Sequence, residues 1–132
     1  MTHSNAPVRV LVVDDDAVIR EGLKAFLEDL DYEVTALESG EAAMREITEA
    51  PPPRVAVIDL RLPGMSGEQL ILALRQRFHA AMRFVIFTGS VRFYPDKTLQ
   101  QIGIGPEEVF RKPLYDAHRI GRKIAQLAQL AP

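Results

Sequence analysis

Cysteine is absent from this chain of 132 residues, which excludes disulfides, thiolate metal sites and cysteine nucleophiles and fits a reducing, cytoplasmic setting. Any metal must therefore bind through oxygen or histidine. An excess of one charge is also missing. Lys and Arg number 16 against 18 Asp and Glu, a formal net charge of -2, so nothing favours direct contact with nucleic acid or an anionic membrane. No apolar run approaches the ~20 residues needed to span a bilayer, and Met1 to Pro7 is polar, a loose start with no signal-peptide core. Repeats, linkers and low-complexity segments are lacking too, so a single domain is expected over 1–132, with a core from about 8 to 130 and no output domain. At 47% hydrophobic, the chain has enough apolar material for a substantial core without covalent help.

That material falls into an alternating pattern. Val8 to Val13 is a β-branched, apolar run ending at Asp14-Asp15-Asp16, the signature of a buried strand that delivers acids at its carboxyl end. Asp16 is placed to cap a helix with Ile19, Leu23, Phe26, Leu27 and Leu30 on one face. Tyr32 to Leu37 reads as a second strand. Ser39 then caps a helix carrying Ala43, Met44 and Ile47, which should run until Pro51-Pro52-Pro53 ends it. The third strand, Val55 to Ile58, runs straight into Asp59, and the turn residues Pro63, Gly64 and Gly67 behind it predict an exposed rim for that carboxylate. Ser66 and Gln69 make a capping box for a helix with Leu70, Ile71, Leu74 and Phe78 inward.

Phe84 to Phe87 is a fourth strand ending at Thr88-Gly89-Ser90, followed by a short helix from Pro95-Asp96 through Leu99 and Ile102 to Gly103. Val109-Phe110 is a brief fifth strand ending at Arg111-Lys112-Pro113, and Asp116 opens a last helix with Ile120, Ile124, Leu127 and Leu130 inward. Five apolar strands alternating with five helices predict an α/β fold, a flavodoxin-like (βα)5 doubly wound parallel sheet in the order 2-1-3-4-5. In that order strands 1 and 3 are neighbours. Asp14, Asp15 and Asp59 then converge, while Thr88 and Lys112 arrive from strands 4 and 5.

Carboxylates gathered in this way repel one another by roughly 3 kcal/mol per pair at ~5 Å and an effective dielectric near 20, and so invite a divalent cation. Mg²⁺ is the natural guest, since it binds where one or two carboxylates meet a phosphoryl oxygen. Lys112 supplies an ammonium and Thr88 a hydroxyl, both suited to the oxygens of a phosphoryl group on Asp59. An aspartate can attack phosphorus to give an acyl phosphate while metal and ammonium neutralise the transferring group.

With these pieces, Leu11-Val12-Val13-Asp14-Asp15-Asp16, Ile58 to Gly67, Phe87-Thr88-Gly89 and Arg111-Lys112-Pro113, the sequence resembles the receiver domain of bacterial two-component response regulators from Val8 to Leu130. The resemblance implies Asp59 as phosphoacceptor, Asp15 as a direct Mg²⁺ ligand, Asp14 as a ligand largely through water, and the backbone carbonyl of Arg61 as another. It implies Thr88, Gly89 and Lys112 as phosphoryl-binding residues and a cis Lys112-Pro113 peptide. The expected donor is a sensor histidine kinase or a histidine phosphotransfer protein. Output is expected through contact with a downstream protein, and no enzymatic activity beyond self-catalysed phosphotransfer and dephosphorylation. One departure stands out: the family usually has Tyr or Phe three residues before the lysine, as the switch residue, and here it is Val109. Strand alternation points the neighbouring Phe110 to the opposite face.

Three alternatives compete with that expectation. Asp14-Asp15-Asp16 contains the Asp-x-Asp pattern of haloacid-dehalogenase-type phosphohydrolases, but after Lys112 only Asp116 is available for their late acidic pair. A flavin binder of the same fold needs a phosphate loop after strand 1, where three acids would repel the phosphate. A pseudo-receiver, keeping the fold as an unphosphorylated binding module, is the remaining alternative, and Val109 is the feature that favours it.

Overall fold

The computed structural model describes residues 6–113 and 116–130; the loose start expected at Met1 to Asn5 lies outside them. In chain order the elements are β1 (Arg9–Val13), α1 (Ala17–Asp29), β2 (Glu33–Leu37), α2 (Gly40–Glu46), β3 (Val55–Ile58), α3 (Gly67–Phe78), β4 (Arg83–Thr88), α4 (Lys97–Gln101), β5 (Val109–Arg111) and α5 (His118–Ala128). The strands form one parallel sheet in the order β2-β1-β3-β4-β5, as the alternation predicts. No helix among the described residues is long and apolar enough to cross a membrane.

Between their ends the central strands β1, β3 and β4 are apolar because both of their faces are covered. Leu11, Val13, Ala56, Ile58, Phe84 and Ile86 point into one layer of the core with Leu70, Ile71 and Leu74 of α3 and Leu99 of α4. Val10, Val12, Val55, Val57, Val85 and Phe87 point into the other, against Leu23 and Leu27 of α1 and Ile120, Ile124 and Leu127 of α5. Val109 packs with the first layer and Phe110 with the second, so the two residues do face opposite ways.

The starts of α1, α2 and α3 follow the caps read from the sequence, whereas α5 begins at His118 after Ala117, with Asp116 one residue further back accepting from His118 N. Asp16 accepts from the amides of Val18 at 2.9 Å and Ile19 at 3.2 Å, Ser39 from Ala42 at 3.0 Å, and Ser66 with Gln69 closes a full capping box. Each satisfies N–H groups that the first turn leaves without partners. Helix ends depart from expectation. α2 stops at Glu46, well before the prolines, because Arg77 of α3 reaches across to the carbonyls of Met44 at 2.7 Å and Ile47 at 2.8 Å. Leu30 and Leu130, expected inward, are 42% and 43% exposed. Leu30 is the residue that ends α1 and Leu130 lies past the end of α5, so the 3.6-residue period no longer directs either side chain. The carbonyl of Leu130 is instead taken by the guanidinium of Arg54.

Candidate functional site

β1 and β3 are adjacent, and each gives its last ladder position to an acid: Asp14 N donates to Leu37 O at 3.1 Å, and Asp59 N donates to Val13 O at 3.0 Å. The carboxylates of Asp14, Asp15 and Asp59 each place an oxygen within 4.8 Å of the others. Lys112 enters from the end of β5, with Nζ 2.8 Å from Asp14 Oδ2 and 3.2 Å from Asp59 Oδ2 and 5.3 Å from the centre of the Phe87 ring. Three carboxylates against one ammonium leave two negative charges, which matches a divalent cation in charge, and an all-oxygen donor set matches Mg²⁺ in kind.

The exposed rim expected for Asp59 is not what forms. Asp59 is 6% exposed and Asp14 3%, while Asp15 is the exposed member of the cluster. The turn after Asp59 does not swing away: Leu60 and Leu62 fold back into the core, Arg61 N donates to Asp59 Oδ1 at 3.2 Å, and Lys112 packs over the carboxylate. Two further contacts fix that turn. Gly64 has φ 74°, a left-handed conformation suited to glycine, and Glu41 of α2 accepts from Met65 N at 2.8 Å.

Burial pushes the Asp59 carboxyl above its ordinary pKa; the Lys112 charge and the Arg61 amide offset part of this, and the Asp14 charge adds to it. Lys112 is also held above its ordinary value, because burial, which favours the neutral amine, is outweighed by the hydrogen bond and charge of Asp14 and the charge of Asp59. The ammonium is therefore secure, and Asp59 is the costly partner. A carboxyl with a raised folded pKa contributes stability that is present below the ordinary carboxylate pKa and is lost as pH rises through the folded value. In chelator, Asp59→Asn should remove that loss and stabilise the metal-free chain at pH 7 by roughly 0.5–2 kcal/mol. Urea unfolding of both proteins across the acid range checks this; a variant less stable than its parent at pH 7 would contradict it.

Thr88 is fully buried at the end of β4. Its carbonyl accepts from Lys112 N at 2.8 Å, and its hydroxyl oxygen accepts from Ser90 N at 3.1 Å. Gly89 follows directly, and a Cβ there would meet nothing within 4 Å, so space alone does not demand glycine. The Lys112-Pro113 peptide is cis. Val109 sits beside Ile86, two residue pairs below the Thr88–Arg111 pair and therefore on the same face as Thr88.

Three contributors escaped the sequence reading. Arg20 of α1 donates to Asp14 O at 2.9 Å. Gly67 lets α3 start against the backbone of Asp59. Arg111 ties the loop after Thr88 to β5 through the carbonyls of Ser90 and Phe93. Each depends on a contact with a segment that the local pattern does not specify, so the sequence names the residues without their roles.

The family profile described as the response regulator receiver domain matches residues 10–124. The chain is 34% identical over 120 residues to the transcriptional regulatory protein AruR of Pseudomonas aeruginosa, an alignment covering 86% of this chain and 47% of that one. It is 30% identical over 130 residues to the sensor histidine kinase GacS of Pseudomonas protegens, covering 96% of this chain and 13% of the kinase. It thus spans about half, or far less, of these curated relatives. A response regulator receiver domain protein from Clostridium thermocellum superposes with a TM-score of 0.77 at 25% identity, covering 92% of this chain and 94% of the other. The strand order, the three converging carboxylates and the match over residues 10–124 agree, and the chain belongs to the response regulator receiver domains of two-component signalling.

Proposed function

We propose that the chain accepts a phosphoryl group on Asp59 from a phosphohistidine, with Mg²⁺, and passes the signal on by contact with another protein. The observation that carries this is the meeting of the Asp14, Asp15 and Asp59 oxygens within 4.8 Å, with Lys112 Nζ 3.2 Å from Asp59. In the transfer an Asp59 carboxylate oxygen forms the new P–O bond, the P–N bond to the donor imidazole breaks, and the imidazole leaves. Mg²⁺ held by Asp14, Asp15, Asp59 and the Arg61 carbonyl would neutralise charge on the phosphoryl oxygens. Lys112 then exchanges a carboxylate oxygen of Asp59 for a phosphoryl oxygen, and the Thr88 hydroxyl donates to another. No activity toward other substrates is part of the proposal.

A protein donor has apolar surface to dock on beside the site. A cavity of about 320 Å³ lies between α1 and the start of α5, lined among others by Ile19, Phe26, Phe87 and Pro113. Val18 stands at its edge, 83% exposed. Two features weigh against the hydrolase alternative: Asp16, the second acid of the Asp-x-Asp pattern, is committed to capping α1, and Asp59 has no part in that chemistry.

Adding beryllofluoride with Mg²⁺ tests the proposal. Hydrogen exchange should change mainly between Gly89 and Gly103, because α4 has only five residues and a single buried side chain, Leu99, and is the cheapest element to reorder. Phe93, packed in the same layer as Val109, is the aromatic ring placed to follow Thr88. No change anywhere would refute phosphoryl acceptance, and a change confined to residues 109 to 130 would refute this route of response. Lys112→Ala should leave the fold intact and weaken the response, having lost a charge-assisted contact of roughly 1.5–3 kcal/mol; an unaltered NMR response in that variant would contradict the role given to the ammonium.

A further inference from the structure

We infer that Arg111 is a latch that holds the loop between β4 and α4 in its unmodified conformation and so sets how readily Thr88 moves when Asp59 is modified; this rests on the phosphoacceptor function proposed above. β5 is an edge strand of three residues, and Arg111, its last, lies directly opposite Thr88. Its exposed side chain reaches over the end of β4. Nη1 donates to Ser90 O at 3.0 Å and Nη2 to Phe93 O at 2.6 Å. One planar guanidinium thus spans two carbonyls of the same loop, which the compact ammonium of a lysine at the end of a shorter fork-less stem does not reproduce.

The ends of the loop are fixed by other groups. Lys112 N holds Thr88 O at 2.8 Å at the start. At the far end, Asp96 caps α4 through Leu99 N at 3.0 Å, and the Gln100 side chain holds Pro95 O at 2.8 Å. Between them Val91 is 78% and Tyr94 67% exposed, and Phe93 alone of the three turns toward the core, packing against its first layer. The packing of Phe93 and the two Arg111 bonds together order the middle of the loop.

Ser90 is gripped from both sides: its amide donates to Thr88 Oγ1 at 3.1 Å, and its carbonyl accepts from Arg111. A Thr88 hydroxyl turning toward a phosphoryl oxygen on Asp59 keeps the Ser90 amide only if Ser90 travels with it. That travel draws the Ser90 carbonyl away from a guanidinium anchored on the neighbouring strand. An interaction made in one state and lost in the other biases the equilibrium by its own free energy, here against the activated state. The same grip on the Phe93 carbonyl restrains the ring that packs in the layer of Val109. Arg111 is in this sense a positioning residue, acting through Ser90 and Phe93 and touching no phosphoryl oxygen.

Wild type, Arg111→Ala and Arg111→Lys are compared by hydrogen exchange without a phosphodonor and by beryllofluoride titration with Mg²⁺. In both variants, amides between residues 89 and 95 should exchange about 3- to 10-fold faster, and half-saturation should fall by a similar factor. Lysine should fail to restore the wild-type values, which separates bridging of two carbonyls from a simple need for positive charge. Unchanged exchange, or weaker beryllofluoride binding in the variants, would overturn the latch. Should the wild type itself not respond to beryllofluoride, the phosphoacceptor function is refuted separately, and the latch stands or falls on the exchange rates of the unmodified proteins.

Discussion

Gly67→Ala should destabilise the domain by about 3 kcal/mol or more, the largest stability effect expected of any single methyl group in this chain. A Cβ at this position would lie 2.1 Å from the carbonyl oxygen of Asp59 and 2.7 Å from Cα of Leu60. Both are backbone atoms, so no rotamer change relieves the overlap. Gly67 is also the first residue of α3, and its amide donates to Leu60 O at 3.0 Å, which ties the helix start to the segment leaving β3. Any relaxation must therefore lift α3, with Leu70, Ile71 and Leu74 fully buried beneath it, or displace Asp59 itself. Urea unfolding monitored by circular dichroism measures the loss. A cost below about 1 kcal/mol would show that the approach of α3 to Asp59 is looser than these contacts imply.

The second large effect concerns the cation. Removing Mg²⁺ with chelator, or weakening its site by Asp15→Asn, should slow phosphorylation by acetyl phosphate at least 100-fold, about 2.7 kcal/mol of transition-state stabilisation. Asp15 is the informative position because its carboxylate is exposed, whereas Asp14 and Asp59 are buried and already share the Lys112 ammonium. Losing Asp15 removes a proposed metal ligand while leaving the buried ion cluster intact, so stability should change little. A rate within threefold of wild type in either condition would remove the cation from the account of the chemistry.

Much of this architecture is legible in the sequence, for physical reasons that differ by element. The central strands β1, β3 and β4 declare themselves because strands covered on both faces have apolar interiors, with polar groups only at their ends, where Asp14, Asp59 and Thr88 appear. Helix starts are equally plain, since Asp16, Ser39 and Ser66 cap through local contacts two or three residues away. What depends on distant partners is not legible. The end of α2 is decided by Arg77, 30 residues after Ile47. The burial of Asp59 depends on Lys112, 53 residues away, and on Leu60 and Leu62 turning inward when Pro63, Gly64 and Gly67 suggest an open loop. Among the site residues, the acids and the lysine could be named from their strand-end positions, but the clamp of Arg111 on Ser90 and Phe93 could not.

Mapping of the phosphorylated residue tests the central claim most directly. The chain is treated with acetyl phosphate and Mg²⁺, any acyl phosphate is reduced with borohydride, and the peptides are sequenced by mass spectrometry. One modified residue per chain is expected, at Asp59, with none in chelator and none in Asp59→Asn. Equal modification without Mg²⁺, or full labelling of the Asn variant, would contradict the claim.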